Sequence, residues 1–128
     1  MAQDGFSGVW KGILTQDDGG FRSKYEFELY LIQDGDKITG RSYVYIDNIF
    51  AEMDLEGSLL NDNTIWFQET TIGYNKILPG MHWCLKNGKL TLKKSWSSQK
   101  LEGYWEGKTP FSDCVPGKIY LQRIIPRV

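Results

Sequence analysis

The chain has 128 residues and a net charge of −1, with fourteen glycines, 14% aromatic residues and only four prolines. That length suits a single domain, residues 1–128, with its own core, and the composition favours a β protein over a helical one. The near-neutral charge argues against a nucleic-acid surface, and no run of about 18 apolar residues exists to span a membrane as a helix.

Met1-Ala2-Gln3 reads as a start codon fused to a mature N-terminus whose signal peptide has been removed. The expected location is then secreted or periplasmic. The alternative is a cytosolic protein that begins at its natural Met1. Next comes Phe6-Ser7-Gly8-Val9-Trp10-Lys11-Gly12, in which Trp10 lies between two glycines. Glycines beside an indole leave room for the ring and let a strand bend sharply, which suits the closed end of a small barrel. Gly103-Tyr104-Trp105-Glu106-Gly107 repeats the Gly-x-Trp-x-Gly pattern near the other end of the chain.

Val9 to Thr15 forms the first expected strand, and residues 16–23 a polar loop. Lys24 to Gln33 alternates, with Tyr25, Phe27, Leu29 and Leu31 on one face. Asp34-Gly35 is a strong hairpin signal. Closing it between Gln33 and Asp36 sets Leu31 against Ile38 and Glu28 against Arg41. The third strand, Lys37 to Ile46, points Ile38, Gly40, Ser42, Val44 and Ile46 inward. After Asp47-Asn48, Val44 opposes Ala51, and Ala51, Met53, Leu55, Gly57 and Leu59 face inward. Asn61-Asp62-Asn63 pairs Leu59 with Ile65, leaving Ile65, Phe67, Glu69 and Thr71 inward and Trp66 outside. Residues 72–80 form a longer connection.

Asn87-Gly88 reads as a second two-residue turn, pairing Leu85 with Leu90, Trp83 with Leu92 and Met81 with Lys94. A turn at Ser97-Ser98 then pairs Leu92 with Gly103 and Leu90 with Trp105. Lys118 to Ile124 is the last strand, carrying Ile119, Leu121 and Arg123 on one face. These turns agree on a single inward face, and a one-residue slip would break that agreement. The expected fold is an all-β, up-and-down antiparallel barrel of eight to ten strands. The turns as placed give nine, an odd number that would make the first and last strands parallel.

Gly8-x-Trp10 on the first strand, the short segment before it, the meander of hairpins and an arginine on the last strand together resemble the calycin superfamily. That superfamily holds lipocalins, fatty-acid-binding proteins and avidins. The resemblance implies that Trp10 packs across the closed barrel end beneath Arg123. It also implies a small, mainly apolar ligand inside a lipocalin-like barrel. The chain departs from the lipocalin pattern in being short and in having no long helix before the last strand.

Glu69 and Lys94 are the other charged residues expected on the inward faces. One reading leaves them wet and structural at the rim. The other pairs them inside the mouth, where they orient a ligand in an apolar cup lined by Leu14, Tyr25, Met81, Trp83 and Trp96. Outward Trp66, Tyr30, Tyr43, Tyr45 and Tyr104 suggest the alternative function, a protein- or carbohydrate-interaction module with a filled core. His82, the lone histidine, has no Cys/His cluster beside it, so no metal site or cofactor is expected. No nucleophile–histidine pair, phosphate loop or close carboxylate pair is visible; no catalytic residues are assigned, and nothing specifically supports an enzyme. No protein partner is identified.

Cys84 and Cys114 are the only cysteines and are expected to form a disulfide. The sixth expected strand points Cys84 outward near one barrel end, and the 108–116 loop holding Cys114 arrives at the same end. Such a bridge requires an oxidising compartment.

Overall fold

The computed structural model describes residues 5–125. Met1-Ala2-Gln3, on which the reading of a processed N-terminus rests, lie outside the described residues. Eight antiparallel strands follow one another and close into an up-and-down barrel. They are β1 (Gly8–Thr15), β2 (Lys24–Asp34), β3 (Lys37–Ile46), β4 (Ile49–Asn61), β5 (Thr64–Lys76), β6 (Leu85–Lys94), β7 (Gln99–Lys108) and β8 (Gly117–Ile124). β1 pairs antiparallel with β8, with Trp10 opposite Arg123, so the even count lets the barrel close. This architecture is consistent with the calycin-like fold that the sequence resembles. No helix among the described residues is long and apolar enough to cross a membrane.

The ninth strand disappears because Asn87-Gly88 is not a turn. Both residues lie within β6, and neither has the positive φ that a type I′ turn requires. Gly88 lies opposite Trp105, and a Cβ there would lie 2.0 Å from the Tyr104 carbonyl oxygen. The glycine thus serves close strand approach rather than chain reversal. Gly117 on β8 flanks Trp105 from the other side. Residues 81–84 are not strand but part of the β5–β6 connection.

Two hairpins are displaced by two residues from the expected register. In β2–β3, Gln33 pairs with Ile38 and Leu31 with Gly40, because the loop is Gly35-Asp36 with Gly35 at φ 62°. Arg41 therefore faces Tyr30 rather than Glu28, and pairs instead with Glu52 at 2.7 Å and Asp54 at 3.7 Å. In β6–β7, Leu92 pairs with Leu101 and Leu90 with Gly103. A shift of two leaves every side chain on its face, so the expected core survives. The Val44–Ala51 and Leu59–Ile65 pairs stand as expected. Thr71 is exposed, because a register shift between Asp54 and Leu55 adds a residue to β5 just before it.

Large side chains fill the interior: Phe6, Trp10, Phe27, Leu29, Met53, Ile65, Phe67, Leu90, Leu101 and Ile119 are fully buried. At one end the segment Gly5–Ser7 folds under the barrel as a plug. Phe6 N donates to Gln33 Oε1 at 2.9 Å, and Gln33 N donates to Ser7 Oγ at 2.8 Å. Trp10 Nε1 donates to the Phe6 carbonyl at 3.0 Å. The Arg123 guanidinium lies 4.3 Å from the Trp10 ring centroid and donates to the Ser7 and Gly5 carbonyls and to Gln99 Oε1. Stacking and hydrogen bonding thus lock the plug to both terminal strands. Burial lowers the Arg123 pKa from its ordinary value.

Trp10→Ala is expected to cost about 3–5 kcal/mol in denaturant unfolding, the range for a fully buried aromatic. Gly88→Ala is expected to cost about 1–3 kcal/mol by overpacking against β7. A Gly88→Ala protein as stable as the parent would contradict the continuous β6.

Candidate functional site

The end opposite the plug carries the 16–23 loop, the 47–48 turn, the 77–84 connection and the 109–116 loop. Here the barrel holds a mainly apolar cavity of about 100 Å³. Leu14, Val44, Ile46 and Ile49 form part of its wall, and Ile77, Met81 and Trp83 of the β5–β6 connection close over it. Tyr25 and Gln16 fix one rim: the Tyr25 hydroxyl donates to Gln16 Oε1 and accepts from Arg22 N, while Gln16 Nε2 donates to the Val115 carbonyl at 3.0 Å. Burial raises the Tyr25 pKa above that of a free phenol.

Beneath the cavity lies a buried ion pair. Glu69 Oε1 is 2.9 Å from Lys86 Nζ, and both side chains are almost wholly buried. The same oxygen accepts the Lys86 backbone N–H at 2.8 Å, and Oε2 accepts from the Ser42 hydroxyl. Lys86 Nζ also donates to the Cys84 carbonyl at 3.2 Å. Its charge sits 5.7 Å from the Phe27 ring centroid and 5.9 Å from that of Trp105. Every hydrogen-bonding atom of the pair thus has a partner, as a charge pair in a low-dielectric interior requires.

The structure brings Leu14, Tyr25, Met81 and Trp83 together around the cavity, with Glu69 below them. It does not bring Lys94 or Trp96. Lys94 pairs with Gln99 at the β6–β7 turn, on the plug end, and is exposed. It lies about 26 Å along β6 from Lys86 at strand rise. Trp96, in that same turn, is fully exposed. Placing a turn at Asn87-Gly88 folded Lys94 back towards the mouth and turned Lys86 outward. Running the alternation from Leu92 through Leu90 and Gly88 would have pointed Lys86 inward.

Cys84 and Cys114 form a disulfide, 30 residues apart in sequence. Cys84 lies in the connection just before β6 rather than on an outward strand face. The bridge ties the cavity's cover to the β7–β8 loop. Closing a loop of this size stabilises by about 3–4 kcal/mol through lost chain entropy in the unfolded state. Such a bond persists in an oxidising environment. His82 is exposed, with its ring centroid 4.7 Å from that of Phe111. No group of three or more metal-ligating side chains occurs among the described residues.

On the outer wall Tyr30, Tyr43 and Tyr45 form one row. The Tyr30 and Tyr43 ring centroids are 5.3 Å apart edge to face, and Tyr43 and Tyr45 are stacked at 6.3 Å. A hydrogen bond to Glu28 pushes the Tyr30 pKa up to about 12.

Replacing Glu69 by Gln is expected to cost about 3–5 kcal/mol, because Lys86 is left charged and buried without its partner. The double variant Glu69→Gln/Lys86→Met should recover much of that loss. Urea unfolding of the four members of the cycle measures the coupling, and additive losses would contradict it.

Compared with known proteins, the chain has no significant match to a family model, a curated protein or a solved structure.

Proposed function

We propose that the protein is a lipocalin-like barrel that binds a small, mainly apolar molecule in the cavity at its open end, working outside the cytosol as a secreted or periplasmic protein. The observation that carries this reading is the cavity itself. The interior elsewhere is filled by large side chains, yet beneath the β5–β6 connection an apolar space remains, bordered by a few fixed polar groups. That combination is the general form of a small-molecule site. A volume of about 100 Å³ admits an occupant no larger than roughly a benzene ring. Leu14, Val44, Ile49 and Met81 would hold its apolar body, and Tyr25 with Gln16 would border its polar side. The disulfide supports the location, since it holds the cover in place only where thiols stay oxidised.

A second reading, an interaction module acting through its outer surface, is favoured by the contiguous Tyr30–Tyr43–Tyr45 row. Aromatic clusters of this kind are common at the centres of binding surfaces.

Titration of the ¹⁵N-labelled protein with benzene is the direct test. Shifts are expected at Leu14, Val44, Ile49 and Met81 and not along the tyrosine row. Val44→Phe, which adds bulk inside the cavity, should abolish them while leaving the dispersed amide spectrum of a folded barrel. Absence of any benzene-dependent shift at the open end would reject the cavity as a binding site.

A further inference from the structure

The barrel wall splits beside the cavity. The β5–β6 ladder has only five pairs, from Thr64–Thr91 to Gln68–Asn87. Beyond Gln68, β5 continues to Lys76 with partners in β4 alone, and β6 begins only at Leu85. The split opens a cleft of about 380 Å³, lined on its apolar side by Ile72, Leu85 and Pro110. Trp83 and Lys86 border both this cleft and the mouth cavity. Trp83 belongs to the connection rather than to a strand, so no ladder of backbone hydrogen bonds holds it. Its Nε1 is the one buried polar side-chain atom without a hydrogen-bond partner among the described residues. A buried indole N–H normally has an acceptor, and leaving one unsatisfied is costly.

We infer that Trp83 is the gate of a larger site and the donor that selects its ligand: a medium-chain aliphatic compound with one neutral carbonyl, admitted through the gap between β5 and β6. This rests on the cavity being a binding site. When the indole swings, cavity and cleft join into a space within the ~300–1,000 Å³ usual for ligand sites. The carbonyl oxygen accepts the Trp83 N–H, and the chain lies over Ile72, Leu85 and Pro110. The ligand is neutral because Lys86 is already balanced by Glu69, 2.9 Å away. A carboxylate brought beside this pair would meet the Glu69 charge without a free cation to offset it.

The probes are 2-octanone, octanoate and benzene, added to the disulfide-intact protein. The Trp83 indole N–H resonance is assigned by triple-resonance spectroscopy and by its absence in Trp83→Phe. On adding 2-octanone it is expected to move downfield. Trp83→Phe, which keeps an aromatic side chain but removes the N–H and part of the indole, should weaken 2-octanone binding about tenfold more than it weakens benzene binding. Octanoate should bind at least about tenfold more weakly than 2-octanone. An unmoved indole resonance, an unchanged 2-octanone affinity in Trp83→Phe, or octanoate binding as tight as the ketone would overturn the inference. Benzene binding without 2-octanone binding defeats this inference alone; no binding of either defeats the cavity reading and this inference with it.

Discussion

The Glu69–Lys86 pair holds the barrel together at the place where its wall comes apart. Hydrogen-bonded pairing of β5 with β6 ends at Gln68–Asn87. The next residues would be Glu69 and Lys86, and there a side chain takes over from the backbone. Glu69 Oε1 accepts the Lys86 N–H that a continued ladder would have used, and it also binds the Lys86 ammonium. One carboxylate thus satisfies a strand-edge donor and balances a buried cation. Ser42, from β3 across the interior, fixes the second oxygen. Taking two charges out of water is expensive, and an apolar pair of similar size could fill the same volume. What an apolar pair could not do is satisfy the exposed end of a hydrogen-bond ladder inside the core.

The two ends of the barrel are built by different physics. The plug end is held by directional contacts onto one aromatic ring: Trp10 donates to Phe6, and Arg123 stacks on the indole while binding the backbone of Gly5 and Ser7. The open end has its own indole, Trp105, between Gly88 and Gly117, with its N–H on the Thr15 carbonyl. Each Gly-x-Trp-x-Gly stretch therefore serves the core, one near each end of the cylinder. Between them the interior is packed with large side chains. Above Trp105 the packing gives way to the cavity, whose cover is a connection pinned by a disulfide rather than a strand.

Most of this was legible because a β-strand has only two faces. The Asp34-Gly35 and Ser97-Ser98 hairpins are each displaced by two residues from their expected pairing, yet Leu29, Leu31, Leu90 and Leu92 still face the core. Asn87-Gly88 misled for a physical reason. The dipeptide suits a two-residue turn because glycine tolerates unusual backbone angles, but glycine also permits close strand approach, and β6 uses the second property against β7. With β6 continuous through Gly88 there is no ninth strand, and the partner of Glu69 is Lys86 rather than Lys94 at the far end of β6. The disulfide survived the error because the 77–84 connection and the 109–116 loop still meet at one end. The wall split could not be read at all. It depends on where β5 stops finding β6, and nothing in the alternation of Glu69 to Lys76 marks the loss of a neighbour on one side.

The β1–β8 seam also dictates the order in which a growing chain can complete itself. Each hairpin from β1–β2 to β7–β8 joins strands adjacent in sequence and can form as it is synthesised. The seam joins residues 9–14 to residues 119–124, so it must wait until all the other strands and β8 itself are available. Until then the curled sheet has two unpaired edges, and the Arg123 clasp on Trp10 is missing. Contacts this distant in sequence make folding slow, and open edges invite pairing between molecules. The most vulnerable species in the life of this protein is therefore a sheet complete except for β8, in which β1 is paired with β2 on one side and open on the other.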